Sequence, residues 1–463
     1  MRNKKLSGGL NVVLAVLVMV ALMPGTRAAA QTEKVLHNFD YLGSVKDGAA
    51  PYGGVAVDAS GNLYGMTNIG GTGLCTNDGF VVGCGTVFEV SPKTGGGWSY
   101  KILHNFSNTG KDGYFPLGAL TLDASGNLYG TTVYGGTGSC GNIFSDTGCG
   151  TVFELSPKTG GGWTYKIVHS FRSTAPDGNY PEGNVTIDSA GNLYGTTFGG
   201  GAYGYGTVFA FKPVAGGGWT ESIAHSFNDD GVDGYYSGKE TLGLILYTGA
   251  TLTLDGSGNL YGVTDWGGTN DYGTIFELKP SSGGAWTEAV VHDFDYTDGA
   301  NPAGGLAMDG AGNLYGTTVY GSPGNAGTVF ELSPAGGGSW TLTQLHHFSF
   351  YTDGDAPQGG VILDAAGNLY GTTVWGGDGD SACGPTECGT VFKLAPSTGG
   401  TWTLTVLENF GDIATDGANP VGGLTIDSHG RIFGTTLDGG SGTCLNYNDD
   451  PVATCGTVFA IEP

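Results

Sequence analysis

The stretch Asp123-Ala124-Ser125-Gly126-Asn127-Leu128-Tyr129-Gly130-Thr131-Thr132 decides the fold, because its frame recurs seven times along the chain. Asp-x-x-Gly-Asn-Leu-Tyr-Gly begins at Asp58, Asp123, Asp188, Asp255, Asp309 and Asp364, and returns in altered form as Asp427-Ser428-His429-Gly430-Arg431-Ile432-Phe433-Gly434. Each copy joins a tight turn to the start of an alternating apolar segment. In such a turn the Asp carboxylate can accept backbone N–H groups, and Gly supplies a positive φ. Repetition of one turn marks scaffold. No single copy is expected to be catalytic, since catalysis needs an asymmetric constellation.

Downstream of each frame comes Gly-Thr-Val/Ile-Phe, with its ring at Phe88, Phe153, Phe209, Phe276, Phe330, Phe392 and Phe459. A Trp then opens a further run at Trp98, Trp163, Trp219, Trp286, Trp340 and Trp402, which closes on a motif like Leu-His-Asn-Phe. The units average about 62 residues. Each holds four alternating segments, in the first unit Gly54 to Asp58, Asn62 to Thr67, Thr86 to Val90 and Trp98 to Phe106. Strict alternation in the last segment places Trp98, Tyr100, Ile102, His104 and Phe106 on one face. A four-stranded sheet cannot bury both faces alone, and radial stacking against copies of itself solves that problem.

The ends choose between a closed ring and an open stack. The chain opens with a lone fourth strand over 33–39, and the seventh unit stops four residues after Phe459 without a Trp strand of its own. One spare strand matches one missing strand. The expected fold is therefore all-β: residues 31–463 form a seven-bladed β-propeller of four-stranded blades, closed by the N-terminal strand completing the last blade.

Anchor Asp to Tyr or Phe is always six residues, the Gly-Thr-Val-Phe ring to Trp always ten, and Trp to the closing Phe always eight. The connection between strands two and three varies, as does that between strand four and the next strand one. Both lie on the same side of an antiparallel blade, so length variation is confined to one face, the better place to look for binding.

Composition agrees. Gly supplies 91 of 463 residues without a Gly-X-Y period, which excludes collagen, and 39% apolar with 11% aromatic content is too rich for a disordered linker. Residues 1–30 read as a secretory signal: Arg2, Lys4 and Lys5, the apolar segment Val12 to Met23, and cleavage near Ala30. That segment is too short to span a membrane. Asp and Glu number 42 against 17 Lys and Arg. This excess argues against nucleic acid or anionic membranes and is compatible with cations and neutral glycans. A secreted or periplasmic monomer with no membrane span is expected.

All eight cysteines fall in strand-two-to-three connections as local couples: Cys75 with Cys84, Cys140 with Cys149, Cys383 with Cys388, Cys444 with Cys455. Export makes disulfides the expected reading. Units one, two, six and seven carry them and become neighbours once the ring closes.

Gly-Asn-Leu-Tyr-Gly-Thr-Thr (Gly126 to Thr132, Gly191 to Thr197, Gly312 to Thr318, Gly367 to Thr373), followed by Gly-Thr-Val-Phe-Glu-Leu (Gly150 to Leu155, Gly327 to Leu332), resembles the bacterial Gloeo/Verruco, or GloVer, tandem-repeat family. The resemblance spans nearly the whole mature chain and implies an exported repeat protein with no established reaction or catalytic residues. Members often carry a C-terminal surface anchor; this chain ends at Pro463 without one, which favours free secretion or periplasmic residence as the expectation.

Three candidate features remain. Six histidines, His37, His104, His169, His225, His292 and His346, share one place in strand four, with Glu408 in the seventh, and are expected to be hydrogen-bonded within the blade packing. Asp-Gly recurs before each blade as ordinary turn chemistry. In unit four it falls within Asp229, Asp233 and Glu240, spaced like positions one, five and twelve of a calcium loop, which makes Ca²⁺ the one cofactor expectation. Finally, Tyr134, Trp266, Tyr320 and Trp375 recur beside Gly-Gly at the variable end of strand two, where their rings can stack on sugar faces or pack under the adjacent loop. No nucleophile elbow, zinc-protease helix or uncoupled Cys points to an enzyme. The leading expectation is a non-catalytic propeller that binds a glycan or extracellular protein through its variable face. The alternatives are an extracellular carbohydrate-active hydrolase or lyase and a structural cell-envelope repeat protein.

Overall fold

The carboxylate of Asp58 organises the first repeat turn. Its Oδ1 accepts the amides of Ser60 and Asn62 at 2.8 and 2.9 Å, while Oδ2 accepts the Asn62 side chain at 2.8 Å and the Tyr64 hydroxyl at 3.1 Å. Gly61, at φ 81°, supplies the left-handed residue. In the seventh copy Arg431 replaces the Asn and reaches Asp427 Oδ2 through Nε at 2.8 Å and Nη2 at 2.7 Å. The turn therefore survives its one departure from the repeat. These contacts come from a computed structural model that describes residues 33–40, 47–77, 80–140, 148–236, 251–321, 323–350, 352–377, 388–411, 416–442, 444–445, 451–452 and 455–462.

Turn and alternation together give seven antiparallel sheets of four strands. Blade one comprises Ala56–Val57, Leu63–Thr67, Thr86–Pro92 and Trp98–Asn105. Blade seven is assembled from both ends of the chain: Glu33–Asn38 pairs with Thr457–Ile461, which pairs with Ile432–Thr436 and then Thr425–Ile426. The ring closes as expected. Among the described residues no helix is long and apolar enough to cross a membrane.

One reading of the strands is corrected. Every fourth strand carries a register shift against strand three, so that in blade one Phe88 faces Ile102 but Val87 faces His104. The extra residue is a β-bulge, which transfers the following side chains to the opposite face. Trp98 and Tyr100 thus pack toward blade seven, whereas Phe106 packs toward blade two with Leu103. His104 follows Phe106, and its ring stacks on Tyr165 of blade two at 4.1 Å. Blades are joined in the same sense by Tyr64 against Trp163, at 5.9 Å, and Tyr129 against Trp219, at 6.2 Å.

Around the axis the first strands meet backbone to backbone. A Cβ on Gly422 would lie 2.7 Å from the amide nitrogen of Gly54 and 2.8 Å from the carbonyl of Tyr52. Only glycine allows that approach. Residues in and just before the first strands of all seven blades, from Gly53 to Thr425, line a central cavity of about 380 Å³.

The two variable connections also pair with each other. Gly48–Ala49 hydrogen-bonds to Ile69–Gly70, Gly113–Tyr114 to Tyr134–Gly135, and Gly234–Tyr235 to Trp266–Gly267. Both loops of a unit therefore belong to one face. Disulfides Cys75–Cys84 and Cys140–Cys149 staple the first two loops. Cys388 and Cys455 are disulfide-bonded as well. Their expected partners, Cys383 and the Cys444 side chain, lie outside what is described, as do the signal segment and Glu240.

Candidate functional site

The bulge in strand four turns each histidine out of its own blade and into the cleft shared with the next. There it meets the Asp of Asp-Gly, so two motifs that look separate in sequence form one interaction. His37 Nε2 lies 2.7 Å from Asp47, His225 2.9 Å from Asp233, His292 2.9 Å from Asp298 and His346 2.8 Å from Asp353. Asp47 and Asp112 also use Oδ1 to accept the amides of Gly48 and Gly113. A signal for this pairing was present, since an Asp-Gly follows every one of these histidines within ten residues.

The third member of each cleft comes from strand four of the following blade, from the residue opposite Val90, Leu155, Phe211, Leu278, Leu332, Leu394 or Ile461 in strand three. Those residues are Tyr100, Tyr165, Glu221, Glu288, Leu342, Leu404 and Glu33. The scaffold repeats, but this position does not. Tyr100 stacks on His37 at 3.9 Å and an interplanar angle of 4°. Burial, then the charge of Asp47, raises the Tyr100 hydroxyl well above its ordinary range. Where Glu replaces Tyr, burial is again the chief influence. It lifts Glu221 to about 7, with His169 opposing and Asp177 assisting, and Glu288 to about 7, assisted by Asp233. Glu33 meets Asp416 and Glu408 at the closing seam and is pushed up to about 8, by burial first and then by those two charges.

The expected site residues are distributed around the variable face rather than gathered. Tyr134 lies in an aromatic group with Tyr114 at 5.6 Å and Tyr180 at 5.6 Å. Trp266 pairs with Tyr235 across its ribbon. Tyr320 and Trp375 pack against Ala303, Val319 and Ala356. All four rings are half-buried. Asp229 is exposed, while Asp233 gives its carboxylate to His225 and to the amide of Asn228 at 3.1 Å. Burial and then Asp265 raise Glu182 to about 8, and burial raises Asp355 to about 6.

Among the described residues, large exposed apolar side chains are more selectively placed. Leu74, Val81 and Tyr203 lie in strand-two-to-three connections, and Val232 and Tyr296 in strand-four-to-one connections. Val214, next to the turn between strands three and four, lies on the opposite side.

No curated protein matches the chain. Among solved structures it is similar to a putative oxidoreductase (glucose dehydrogenase) from Thermus thermophilus, at 14% identity over 93% of this chain and 100% of that one, with a TM-score of 0.39. It is also similar to a luciferin-regenerating enzyme, at 12% identity over 74% of this chain and 90% of that one, with a TM-score of 0.38. Neither likeness bears on activity. The Gloeobacter/Verrucomicrobia repeat matches residues 26–243, 145–342 and 247–463, and with seven copies of one turn closed into a ring, the chain belongs to that repeat family.

Proposed function

We propose that this propeller is an exported binding protein that takes a glycan or an extracellular protein on its variable face, without catalysis. The observation that carries the reading is the bias of exposed apolar side chains. Leu74, Val81, Tyr203, Val232 and Tyr296 all stand on variable-face connections, with Tyr203 59% and Tyr296 39% exposed. Large apolar groups left in water on one face mark a recognition surface, and aromatic rings supply contact area at low entropic cost. Tyr134, Trp266, Tyr320 and Trp375 would form the half-buried floor beneath that surface. Disulfides in its loops hold part of the face in shape before binding, which lowers the ordering cost.

A second reading, carbohydrate hydrolysis or lysis, draws support from Glu182. This carboxyl is held to about 8 by burial and by Asp265, so it keeps its proton at neutral pH beside a second acid, as a general acid must.

A glycan array probed with wild type, Tyr203→Ser/Tyr296→Ser and Val214→Ser tests both. Binding weakened at least tenfold by the double change and unaffected by Val214→Ser supports the binding reading. Equal behaviour of the two variants refutes it for glycans. Release of reducing ends from a bound polysaccharide, abolished by Glu182→Gln, replaces it with the enzymatic one. A blank array without turnover sets the glycan aside and leaves a protein partner, to be sought by crosslinking at Tyr203.

A further inference from the structure

One cleft breaks the histidine–aspartate pattern. In the clefts of His37, His104, His225, His292 and His346, Nε2 is hydrogen-bonded to its Asp at 2.7 to 3.3 Å. Between blades two and three, His169 Nε2 stands 3.4 Å from Asp177 Oδ2 and 3.5 Å from Glu221 Oε1. His169 Nε2, Asp177 Oδ1 and Glu221 Oε1 are each sealed from solvent and lack a hydrogen-bond partner. Asp177 Oδ2 accepts the Arg172 amide at 2.9 Å. Three segments thus each bring one unsatisfied buried polar atom to this cleft, which native structures rarely tolerate without a bound group.

The spacing identifies the group. One ligand atom from each of these residues falls within 4.8 Å of the other two. Tetrahedral coordination with metal–nitrogen and metal–oxygen bonds of about 2.0 to 2.2 Å places neighbouring ligand atoms roughly 3.3 to 3.6 Å apart. The distances from Nε2 to Asp177 Oδ2 and Glu221 Oε1, 3.4 and 3.5 Å, fall in that range. Imidazole with two carboxylates suits a first-row divalent ion. We infer that His169, Asp177 and Glu221 bind one divalent metal ion of the Zn²⁺ class in the cleft between blades two and three.

Phe171 at 4.8 Å and Phe211 at 5.1 Å hold the His169 ring. The side chains of His169, Asp177 and Glu221 remain 19%, 11% and 25% exposed, so the cleft lies close to the surface and an ion has a short path into it. Arg172 acts on Glu221 and competes with the ion. The next cleft repeats the residue types as His225, Asp233 and Glu288, but there the 2.9 Å histidine–aspartate bond is intact. Composition alone does not make the site; the separation of the groups does.

Chelator-treated full-length protein titrated calorimetrically with ZnCl₂ tests the inference. One site per chain is expected, weakened at least tenfold in His169→Ala and in Glu221→Gln. His292→Ala removes the equivalent histidine from a cleft containing Leu342 and should bind as wild type does. Glu221→Gln keeps side-chain size, so it stays informative if His169→Ala misfolds, and zinc should raise the melting temperature of wild type but not of this variant. No heat from wild type at millimolar zinc, or binding retained in Glu221→Gln, overturns the site. Equal loss in His292→Ala would overturn it too.

Discussion

Replacing Phe39 with Ala tests whether the ring is closed in energy as well as in shape. Phe39 is 0% exposed, and its ring lies 5.3 Å from Phe88 and 6.0 Å from Tyr100 of blade one. Its amide donates to the carbonyl of Gly456 at 3.1 Å. A closed ring must therefore charge the full cost of a buried aromatic at this residue. Truncating such a Phe to Ala removes the transfer free energy of the ring and leaves a cavity, about 3–5 kcal/mol together. An unfolding entropy near 2.1 cal/mol/K per residue, over roughly 430 residues, gives about 0.9 kcal/mol/K, so the melting temperature should fall by about 3–6 °C. Phe227→Ala is the internal standard: it is 0% exposed, occupies the same place in strand four of blade three, and packs on Phe276 at 5.3 Å. Scanning calorimetry should give matching shifts for the two variants, with raised hydrogen exchange along Glu33–Asn38 in the first. A fall below about 1 °C for Phe39→Ala, beside the full fall for Phe227→Ala, would mean that the N-terminal strand frays separately. The closure argument would then fail.

The remaining predictions concern the axis and the seam. Gly422→Ala drives a Cβ against backbone atoms of Tyr52, Gly53 and Gly54. It should cost about 1–3 kcal/mol, whereas Gly310→Ala, with nothing within 4 Å, should leave the melting temperature unchanged; equal effects would show that the first strands do not abut. Glu33 is held at about 8 against an ordinary 4.5. The folded protein therefore keeps a proton that the unfolded chain releases, and the associated stability is full below pH 4.5 and lost as pH rises through about 8. Glu33→Gln should match wild type at pH 4 and melt progressively higher than it between pH 4.5 and 9. A constant gap across that range, followed by circular dichroism, would contradict the assignment.

Legibility followed distance along the chain. The Asp58 turn, the fixed spacing to Tyr64 and the Cys75–Cys84 couple are local, and their structures agree with the sequence reading. The face of His104 departs from simple alternation for a definite reason. Counting alternate residues assumes one partner for each, and a bulge is defined only against strand three, so its position is a property of the pair. The His–Asp pairing lay within reach, because both residues recur in step, but neither motif alone indicates that they meet.

The third residue of each cleft was beyond reach in a different sense. Glu221 joins His169 and Asp177 only because blade three packs on blade two with strand four bulged and its side chains redirected. The amino-acid sequence by itself determined seven blades, their closure through the N-terminal strand and the confinement of variation to one face, since each depends on counts and spacings within a unit. Tertiary structure decided which side chains share a cleft, because those partners come from two sheets and a connection, and only the bulge, the glycine-lined axis and interblade packing fix their distances.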